Sequence, residues 1–388
     1  MTEQIATSRI VIIGGGYAGT LAANHLHMRP DVNVTLVNPR PTFVERIRLH
    51  QLAAGTGAAA VDYGPLLHQN TRLVVDEATA IDTAARQVQL ASGGVLEYDY
   101  LIYAVGSTAA LPAVSGAEFA YRIAEFEYAE RLRDKLDELD PDEPVCVVGA
   151  GLTGIETSAE LAQHRGSVTL ICGGELGPSL SPQGRGSVAR QLARLGVTVI
   201  EGGVVTEVRQ DAVVLSDGRE LPSAVTVWTA GFGVPLLAAR SGLRTDELGR
   251  LLTDETLTSI DDPRIVAAGD AASPSGQPLR MSCQAAMPLG AQAANTVLSR
   301  IAGEQPAVIN QAFVGQCISL GRSLATFQIA RTDDTPVRFY AGGRLAAFVK
   351  ERVCRATVWS IKWESRKPGS YLWLRGGKRP AREAVPVP

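Results

Sequence analysis

The sequence contains few cysteines and no long hydrophobic run. The five cysteines, at positions 146, 172, 283, 317 and 354, include no CxxC pair, and an odd number with this spacing is typical of a reducing cytosol. Residues 1–9 are polar and no run of about 18 apolar residues occurs, so neither a secretory signal nor a membrane-spanning helix is expected. We therefore expect a cytoplasmic protein, a location that still allows contact with the cytoplasmic face of a membrane.

An excess of positive charge is also absent. The formal net charge is -3, whereas a protein that neutralises a phosphate backbone needs a basic face, so nucleic acid is not expected as the main partner. The chain has 388 residues, of which 45% are hydrophobic and 20% charged, the balance of a globular protein. This length indicates about two or three domains with sizeable cores.

Residues 9–26, RIVIIGGGYAGTLAANHL, carry the clearest motif. Residues 10–13 are apolar and predict a short buried parallel strand, and Gly14, Gly16 and Gly19 follow at GxGxxG spacing. In a dinucleotide fold the first glycine permits the tight turn, the second lets a pyrophosphate approach the backbone, and the third lets the next helix pack closely. The start of that helix favours phosphate charge, so the motif predicts a dinucleotide site.

The next strand is predicted over residues 32–38 and ends at Asn38. A dinucleotide site normally places an acidic group here for the adenosine ribose hydroxyls; asparagine can still accept and donate hydrogen bonds. A basic and polar cluster follows, consisting of Arg46, Arg48, His50 and Gln51. Its spacing is compatible with a solvated face and with a place beside a bound cofactor, where Arg48 is our candidate.

A second unit repeats the first. Its strand and turn, residues 144–162, contain Gly149, Gly151 and Gly154, followed by Glu156. Each unit continues with short strands, and these end in Gly106 in the first unit and in Gly231 in the second. Because two nucleotide-fold modules in one chain are unlikely to arise by chance, the repeat strengthens both predictions.

The chain then returns to the first module. Residues 264–273 predict a buried strand that delivers Gly269 and Asp270 at its carboxyl end, where open α/β sheets bind ligands. Ser282 is a predicted N-cap of the following helix, and Pro288 either kinks that helix or marks its start. Residues 306–342 resemble strands, and the remainder forms a distinct tail.

Five glycine-containing motifs in a fixed order resemble the two-dinucleotide-domain flavoproteins, and among them the type II NADH dehydrogenase and apoptosis-inducing-factor-like branch: GGGYAG (14–19), AVGS (104–107), GAGLTGIE (149–156), TAGF (229–232) and AAGDAA (267–272). The resemblance covers residues 8–303. It implies an α/β fold with two Rossmann-like domains, the second inserted in the first, followed by an α+β tail. The implied domains are FAD-binding, 1–111 and 236–305; NAD(P)H-binding, 112–235; and C-terminal, 306–388.

The resemblance also implies roles for single residues. Asp270 is expected to bind the ribityl or pyrophosphate part of FAD, Glu156 to lie near the nicotinamide and flavin, and the helix start near Ala285 to face the flavin ring. Gln284 keeps the first glutamine of the AQxAxQ pattern around the family's quinone pocket, but Pro288 replaces the second, which weakens the quinone assignment. Glu156 and Gln284 are the catalytic candidates. The cofactor-binding candidates are Gly14, Gly16, Gly19, Asn38, Arg48, Gly106, Gly149, Gly151, Gly154, Gly231, Gly269, Asp270 and Ala285.

Cysteine and acidic residues depart from the family pattern. No cysteine follows Asn38 where the family often carries a catalytic disulfide, so disulfide reduction is not expected. Cys283, Cys317 and Cys354 are candidates for thiol chemistry, but isolated cysteines are more often inert. The second strand of the second module ends at Cys172 without a carboxylate, although Glu175 is close enough in sequence to reach back. We therefore expect NAD(P)H, with a preference for NADH.

The tail from residue 344 is basic and aromatic. It holds eleven Arg or Lys against three Glu, and three of the four tryptophans. Within residues 348–363 one predicted helical face is apolar, formed by Phe348, Val349, Val353, Ala356, Trp359 and Trp363. This face is typical of a membrane-surface helix, but it also suits packing on the FAD domain or a homodimer contact.

The leading interpretation is an FAD-dependent oxidoreductase that passes electrons from NAD(P)H to a quinone or another small acceptor. Two alternatives stay open at this point. One is a soluble NAD(P)H-dependent reductase of a protein acceptor or small metabolite. The other is a flavin-containing redox sensor or binding protein.

Overall fold

A computed structural model describes residues 7–110 and 112–377. Residues 7–110 form β1 (Ser8–Ile13), α1 (Tyr17–His25), β2 (Val32–Asn38), β3 (Thr42–Val44), α2 (Leu49–Ala53), β4 (Ala60–Asp62), β5 (Arg72–Val75), β6 (Ala78–Asp82), β7 (Gln87–Leu90), β8 (Val95–Glu97), β9 (Tyr100–Tyr103) and β10 (Thr108–Ala109). The described residues also form short 3₁₀ turns at Leu26–Met28, Arg46–Arg48, Ala117–Phe119 and Gly269–Ala271.

The middle of the chain forms a second set of elements. These are β11 (Ala120–Arg122), α3 (Phe126–Asp137), β12 (Val145–Val148), α4 (Leu152–Leu161), β13 (Val168–Ile171), α5 (Pro182–Arg194), β14 (Thr198–Ile200), β15 (Val205–Val208), β16 (Ala212–Leu215), β17 (Glu220–Pro222), β18 (Val225–Trp228), β19 (Phe232–Gly233) and α6 (Leu237–Arg240). The last part forms β20 (Leu251–Thr253), β21 (Ile265–Ala267), β22 (Ala272–Pro274), α7 (Cys283–Ile301), β23 (Gly315–Ser319), β24 (Ala325–Ala330), β25 (Pro336–Gly343) and α8 (Arg344–Arg366).

Two parallel sheets form the cores of the two modules. The first has the order β21-β9-β1-β2-β5 and the second β11-β18-β12-β13-β14. Residues 10–13 of β1 are buried because neighbouring strands flank β1 on both sides and helices cover the sheet. The predicted α/β fold with two Rossmann-like cores is confirmed.

The order of strands shows how the modules are connected. The first sheet receives β21 only after the chain has completed the second sheet, and β10 pairs antiparallel with β19 where the chain leaves and re-enters the first module. The second module therefore interrupts the first in sequence. The exact domain boundaries given above stay a prediction.

Helix α7 begins one residue after its predicted cap. The Ser282 hydroxyl accepts from the Ala285 N–H at 3.2 Å, so the predicted N-cap is confirmed. Pro288 lies inside the helix rather than at its start. Helix α7 packs against α1, and Gly290 of α7 lies against Ala18 within the first glycine motif.

The C-terminal part consists of the antiparallel sheet β23-β24-β25 and the long helix α8, which packs against α1 and against this sheet. The strands predicted after residue 306 are confirmed. Helix α8 packs through Ala346, Cys354 and Ile361, which are buried. The predicted apolar face is turned outward, so the interpretation that this face packs on the FAD domain is wrong. No helix among the described residues is long and apolar enough to span a membrane.

A buried carboxylate connects the end of α8 to the first module through hydrogen bonds. Glu364 is fully buried and accepts from His25 Nδ1 at 2.6 Å, from the backbone N–H groups of Gly369 and Tyr371, both at 2.6 Å, and from the Ser370 hydroxyl at 3.0 Å. Burial acts to raise the pKa of Glu364, but these donors outweigh it and hold the pKa below its ordinary value.

We expect Glu364→Gln to destabilise the protein by about 1–3 kcal/mol, because the amide nitrogen faces donors that it cannot accept from. The thermal unfolding midpoint checks this, with Glu130→Gln on the exposed face of α3 as the control. Since folding lowers the pKa of Glu364, the stabilisation is present above the ordinary carboxyl pKa and is lost as the pH falls below it. Equal midpoints for the two variants at neutral pH would contradict this role.

Candidate functional site

The first glycine motif forms a tight turn between β1 and α1. Gly14 has φ +101°, and a Cβ here would collide with the Ala104 carbonyl oxygen. A Cβ on Gly19 would collide with the Gly14 carbonyl oxygen, so only glycine lets α1 pack this closely. Gly16, in contrast, faces open space.

The second glycine motif has the same geometry between β12 and α4. Gly149 has φ +139° and lies against the Thr229 side chain, and Gly154 lies against the Gly149 carbonyl oxygen. Gly151 again faces open space. Neither α1 nor α4 has a side chain capping its first turn, so the first N–H groups of both helices stay available. An open cradle lined by free N–H groups fits the pyrophosphate of a dinucleotide.

The Asn38 side chain stabilises the first glycine turn through hydrogen bonds to the backbone. Its side-chain oxygen accepts from the Gly15 N–H at 2.9 Å, and its side-chain nitrogen donates to the Arg40 carbonyl at 2.7 Å. The Tyr63 hydroxyl donates to the Gly15 carbonyl at 2.5 Å on the same turn. An amide has one further lone pair and one further N–H, so the expected ribose contact by Asn38 stays a prediction.

Asp270 joins a polar chain across the carboxyl ends of β9 and β21. The Ser107 hydroxyl donates to Asp270 Oδ2 at 2.7 Å. Arg46 Nη1 donates to the Ser107 carbonyl at 2.7 Å and to its hydroxyl at 2.8 Å, beside Gly106, whose φ is +71°. The arginine at this edge is therefore Arg46. The sequence placed it in the right cluster but gave no reason to prefer it over Arg48.

Arg48 has other partners. Its guanidinium group pairs with Glu45 at 3.1 Å and with Glu351 of α8 at 3.1 Å. Glu351 lies 303 residues further along the chain, so no local pattern could reveal the pair. No described contact brings Arg48 to the glycine motif, and its predicted cofactor role stays untested.

The start of α7 holds the other two predicted residues. The Ala285 N–H is engaged by the Ser282 cap, so this group is not free to donate to a ligand. The Gln284 amide lies between Val314 and Gly315: it accepts from the Val314 N–H at 3.1 Å and donates to the Gly315 carbonyl at 3.0 Å. Gln284 therefore connects α7 to the start of β23.

Gly269 and Gly231 occupy the turns that the sequence predicts. Gly269 has φ +72° directly before Asp270 and lies against Ala18 of α1, so a side chain here would be strained and crowded. Gly231 has φ +78° beside Ala110, near the pairing of β10 with β19. Both glycines thus permit turns at module edges.

Glu156 forms a buried contact that the sequence did not reveal. Its Oε1 accepts from the Lys350 ammonium at 2.8 Å and from the Ser319 N–H at 2.9 Å. The Lys350 ammonium also donates to the Cys317 carbonyl at 2.9 Å. Glu156 thus connects α4 of the second module, strand β23 and helix α8.

The charges at this contact are fixed by their surroundings. Burial acts to raise the pKa of Glu156, but the Lys350 ammonium outweighs it and keeps that pKa below its ordinary value. Burial acts to lower the pKa of Lys350, and Glu156 reverses the effect and raises it. Burial lowers the pKa of His50 to about 4, so this ring is neutral near pH 7, and its Nε2 has no hydrogen-bond partner among the described residues.

A cavity of about 170 Å³ opens beside this ion pair. Lys350 and Cys354 of α8, Ser319 of β23 and Gln51 of α2 line it. The cavity therefore lies where the first module meets the C-terminal part. The buried Lys350 ammonium group therefore borders a small cavity.

The three cysteines of the C-terminal half are poor nucleophiles. Burial raises the pKa of Cys354 to about 11 and of Cys317 to about 12, and it raises that of Cys283 as well. Their thiols are thus protonated near pH 7. Cys283, Cys317 and Cys354 are free cysteines, and the prediction that they are inert stays a prediction.

The end of β13 carries an ion pair rather than a free carboxylate. Cys172 is buried, and burial raises its pKa to about 11. Glu175 pairs with Arg185 of α5. Sequence spacing did not suggest this arginine partner, and a contact between Glu175 and the coenzyme stays a prediction.

Comparison with known proteins agrees with this geometry. A family model described as pyridine nucleotide-disulphide oxidoreductase matches residues 8–290. A NADH dehydrogenase-like protein of Mycobacterium tuberculosis is 34% identical over 327 residues, which cover 75% of this chain and 80% of the relative. A type II NADH:quinone oxidoreductase of Staphylococcus haemolyticus is 24% identical over 402 residues, which cover 91% of this chain and 96% of the relative.

A solved structure shows the same fold over nearly the whole chain. The sulfide:quinone oxidoreductase of Aquifex aeolicus matches with a TM-score of 0.81 at 20% identity, covering 96% of this chain and 100% of that chain. The family model and the Mycobacterium tuberculosis relative confirm the family that the five glycine motifs predict. The chain belongs to the pyridine nucleotide-disulphide oxidoreductase family, as an FAD-dependent oxidoreductase that uses NAD(P)H.

Proposed function

We propose that this protein transfers electrons from NADH through FAD to a quinone at a membrane surface. The observation that carries the proposal is the arrangement of α8. One side of this helix exposes apolar side chains, and the other places Lys350 against Glu156 beside the cavity. A quinone is lipophilic, and relatives named as type II NADH:quinone oxidoreductases support it as the acceptor class.

In this proposal, each glycine turn holds one of the two cofactors. FAD fits the first turn, where Arg46, Ser107 and Asp270 supply polar groups beside the cradle. The coenzyme fits the second turn, at Gly151. When bound, FAD supplies a carrier that accepts a hydride and releases electrons singly or in pairs.

Glu175 supports NADH as the preferred coenzyme. Its carboxylate follows β13, at the edge where the ribose of a coenzyme lies in this fold. Arg185 is the cation that could attract a 2′-phosphate, but Glu175 already neutralises it. A carboxylate at this position also repels a phosphate, so NADPH would bind less tightly.

The outer side of α8 fits a membrane surface. Phe348, Val353, Trp359 and Trp363 are between 44% and 61% exposed, although large apolar side chains are usually buried. The rings of Trp359 and Trp363 stack with centroids 5.9 Å apart, which forms a continuous apolar ridge. Arginines and lysines on the same helix can bind anionic headgroups, the combination that interfacial helices use.

In this proposal, Lys350 and Glu156 act at the place where the electron acceptor binds. The Lys350 ammonium lines the cavity and holds a proton and a positive charge where an acceptor gains negative charge. Glu156 positions that ammonium and keeps its pKa raised. In this proposal Glu156 acts through Lys350, and its predicted place near the nicotinamide and flavin stays a prediction.

We expect Lys350→Met to lower the free energy of unfolding by about 3–5 kcal/mol, because it leaves the Glu156 carboxylate buried without its partner. Adding Glu156→Gln should restore much of the loss in thermal midpoint, while quinone reduction stays slow in both variants. Lys367→Met, exposed beyond the end of α8, is the matched control.

The pH dependence of this pair has a defined sign. Because folding lowers the pKa of Glu156, the stabilisation is present above the ordinary carboxyl pKa and disappears as the pH falls below it. If Lys350→Met had the same thermal midpoint and turnover as the Lys367→Met control, the ion pair would neither stabilise the fold nor assist quinone reduction.

The acceptor is tested with FAD-loaded protein and NADH. We expect a short-chain quinone to be reduced at least tenfold faster than a low-molecular-weight disulfide, because the buried thiols cannot act as a redox pair. The steady-state rate of NADH oxidation with each acceptor measures this, and repeating it with NADPH measures the coenzyme preference. Faster turnover with a disulfide, or with a small redox protein, would overturn the quinone proposal.

Membrane contact is tested on the exposed ridge of α8. We expect the protein to co-sediment with vesicles containing phosphatidylglycerol, and Trp359→Ser with Trp363→Ser to reduce the bound fraction at least fivefold. Val75→Ser removes a similarly exposed apolar side chain from β5, outside α8, and should change nothing. If the wild-type protein ignores vesicles and instead forms a dimer that the double variant dissociates, the face is a dimer contact.

A further inference from the structure

The second module contains a large groove outside both glycine turns. Its volume is about 800 Å³, within the range of small-molecule sites. The groove runs along the edge strand β11 and is bordered by α3, by the 3₁₀ turn at Ala117–Phe119 and by the start of β18. Strand β18 separates β11 from β12, the strand that leads into the Gly149 turn, so the groove is distinct from the coenzyme site.

The groove is positively charged. Arg122, Arg131 and Lys135 line it, against a single lining carboxylate, Glu118. Arg122 and Arg131 form no ion pair with any carboxylate in the described parts of the chain; nearby Glu127 pairs with Arg40 instead. Lys135 pairs with Glu138 at the surface, at 3.2 Å. Arg131 therefore keeps its donors for another acceptor, and Arg122 keeps those that it does not donate to the Tyr128 hydroxyl.

These guanidinium groups are held in position by an aromatic ring. The Arg122 guanidinium lies over the Tyr128 ring at 4.0 Å from its centroid and donates to the Tyr128 hydroxyl, and Arg131 lies 5.7 Å from the same ring. Such stacking fixes the plane of an arginine and leaves its outer N–H groups free for bidentate contacts with phosphate. Little side-chain entropy is then lost on binding.

Aromatic and amide groups line the rest of the groove. Phe119 is 38% exposed and Tyr121 is half-buried, so both present ring surface to the groove. Gln210, at the turn between β15 and β16, adds a side-chain amide. A ring face beside an amide suits a planar heterocycle, which stacks through its face and hydrogen-bonds through its edge.

We propose that this groove binds a nucleotide such as ADP, with its phosphates on Arg122, Arg131 and Lys135 and its base against Phe119 and Tyr121. An acidic peptide fits less well, because β11 has only three residues and offers too short an edge for an added strand. Inorganic phosphate would use the cations but leave the aromatic surface unpaired. The site is independent of the acceptor proposed above.

The test is isothermal titration of ADP into the full-length, FAD-loaded protein saturated with NAD⁺, so that the coenzyme site is already filled. We expect one ADP per chain, weaker binding of pyrophosphate, and no measurable binding of adenosine. Arg131→Ala with Lys135→Ala should weaken ADP binding at least tenfold. Arg133→Ala, on the same helix but outside the groove, should leave it unchanged.

Flavin content and NADH oxidation show whether each variant is folded. If the double variant fails to fold, Arg122→Lys tests the same point, because it keeps the charge and loses the planar stacked group. Loss of ADP binding once NAD⁺ is saturating would assign the nucleotide to the coenzyme turn alone. That result, or ADP binding unchanged by the groove variants, or pyrophosphate binding as tightly as ADP, would overturn the proposal.

Discussion

Four glycines have no room for a side chain, and both nucleotide-binding folds require this close packing. At Gly14 and Gly19, and again at Gly149 and Gly154, a backbone or side-chain oxygen occupies the space that a Cβ would need. Each helix can therefore start directly against the strand that precedes it, with its first N–H groups unused. Two cradles for negatively charged cofactors follow from this packing.

A buried ion pair connects the second module to the C-terminal part. Glu156 lies one turn into α4, and its partners come from β23 and from α8. Its contact with Lys350 fixes the long tail helix relative to the coenzyme module, while Glu364 fixes the other end of that helix to α1 through His25. Because α8 is fixed at both places, its apolar ridge is presented on one defined side of the molecule.

Local sequence was sufficient for the glycine turns, the repeat and the Ser282 cap, because each depends on residues close together in the chain. It was insufficient for Lys350, which contacts a residue 194 positions away, and for the choice between Arg46 and Arg48, which depends on Glu351. Helical periodicity correctly identified the apolar face of α8. Which side of α8 packs inward was decided by the elements it meets, and a single-helix pattern does not contain that information.

We infer that two duplicated turns bring a flavin and a nicotinamide together in one chain. Anaerobic rapid mixing of the purified, FAD-reconstituted protein with NADH tests it most directly, with flavin absorbance as the signal. We expect the oxidised flavin band to disappear at a rate that saturates with NADH concentration, because the coenzyme must first bind. A protein that takes up no FAD, or whose flavin keeps its oxidised spectrum at every NADH and NADPH concentration, would contradict it.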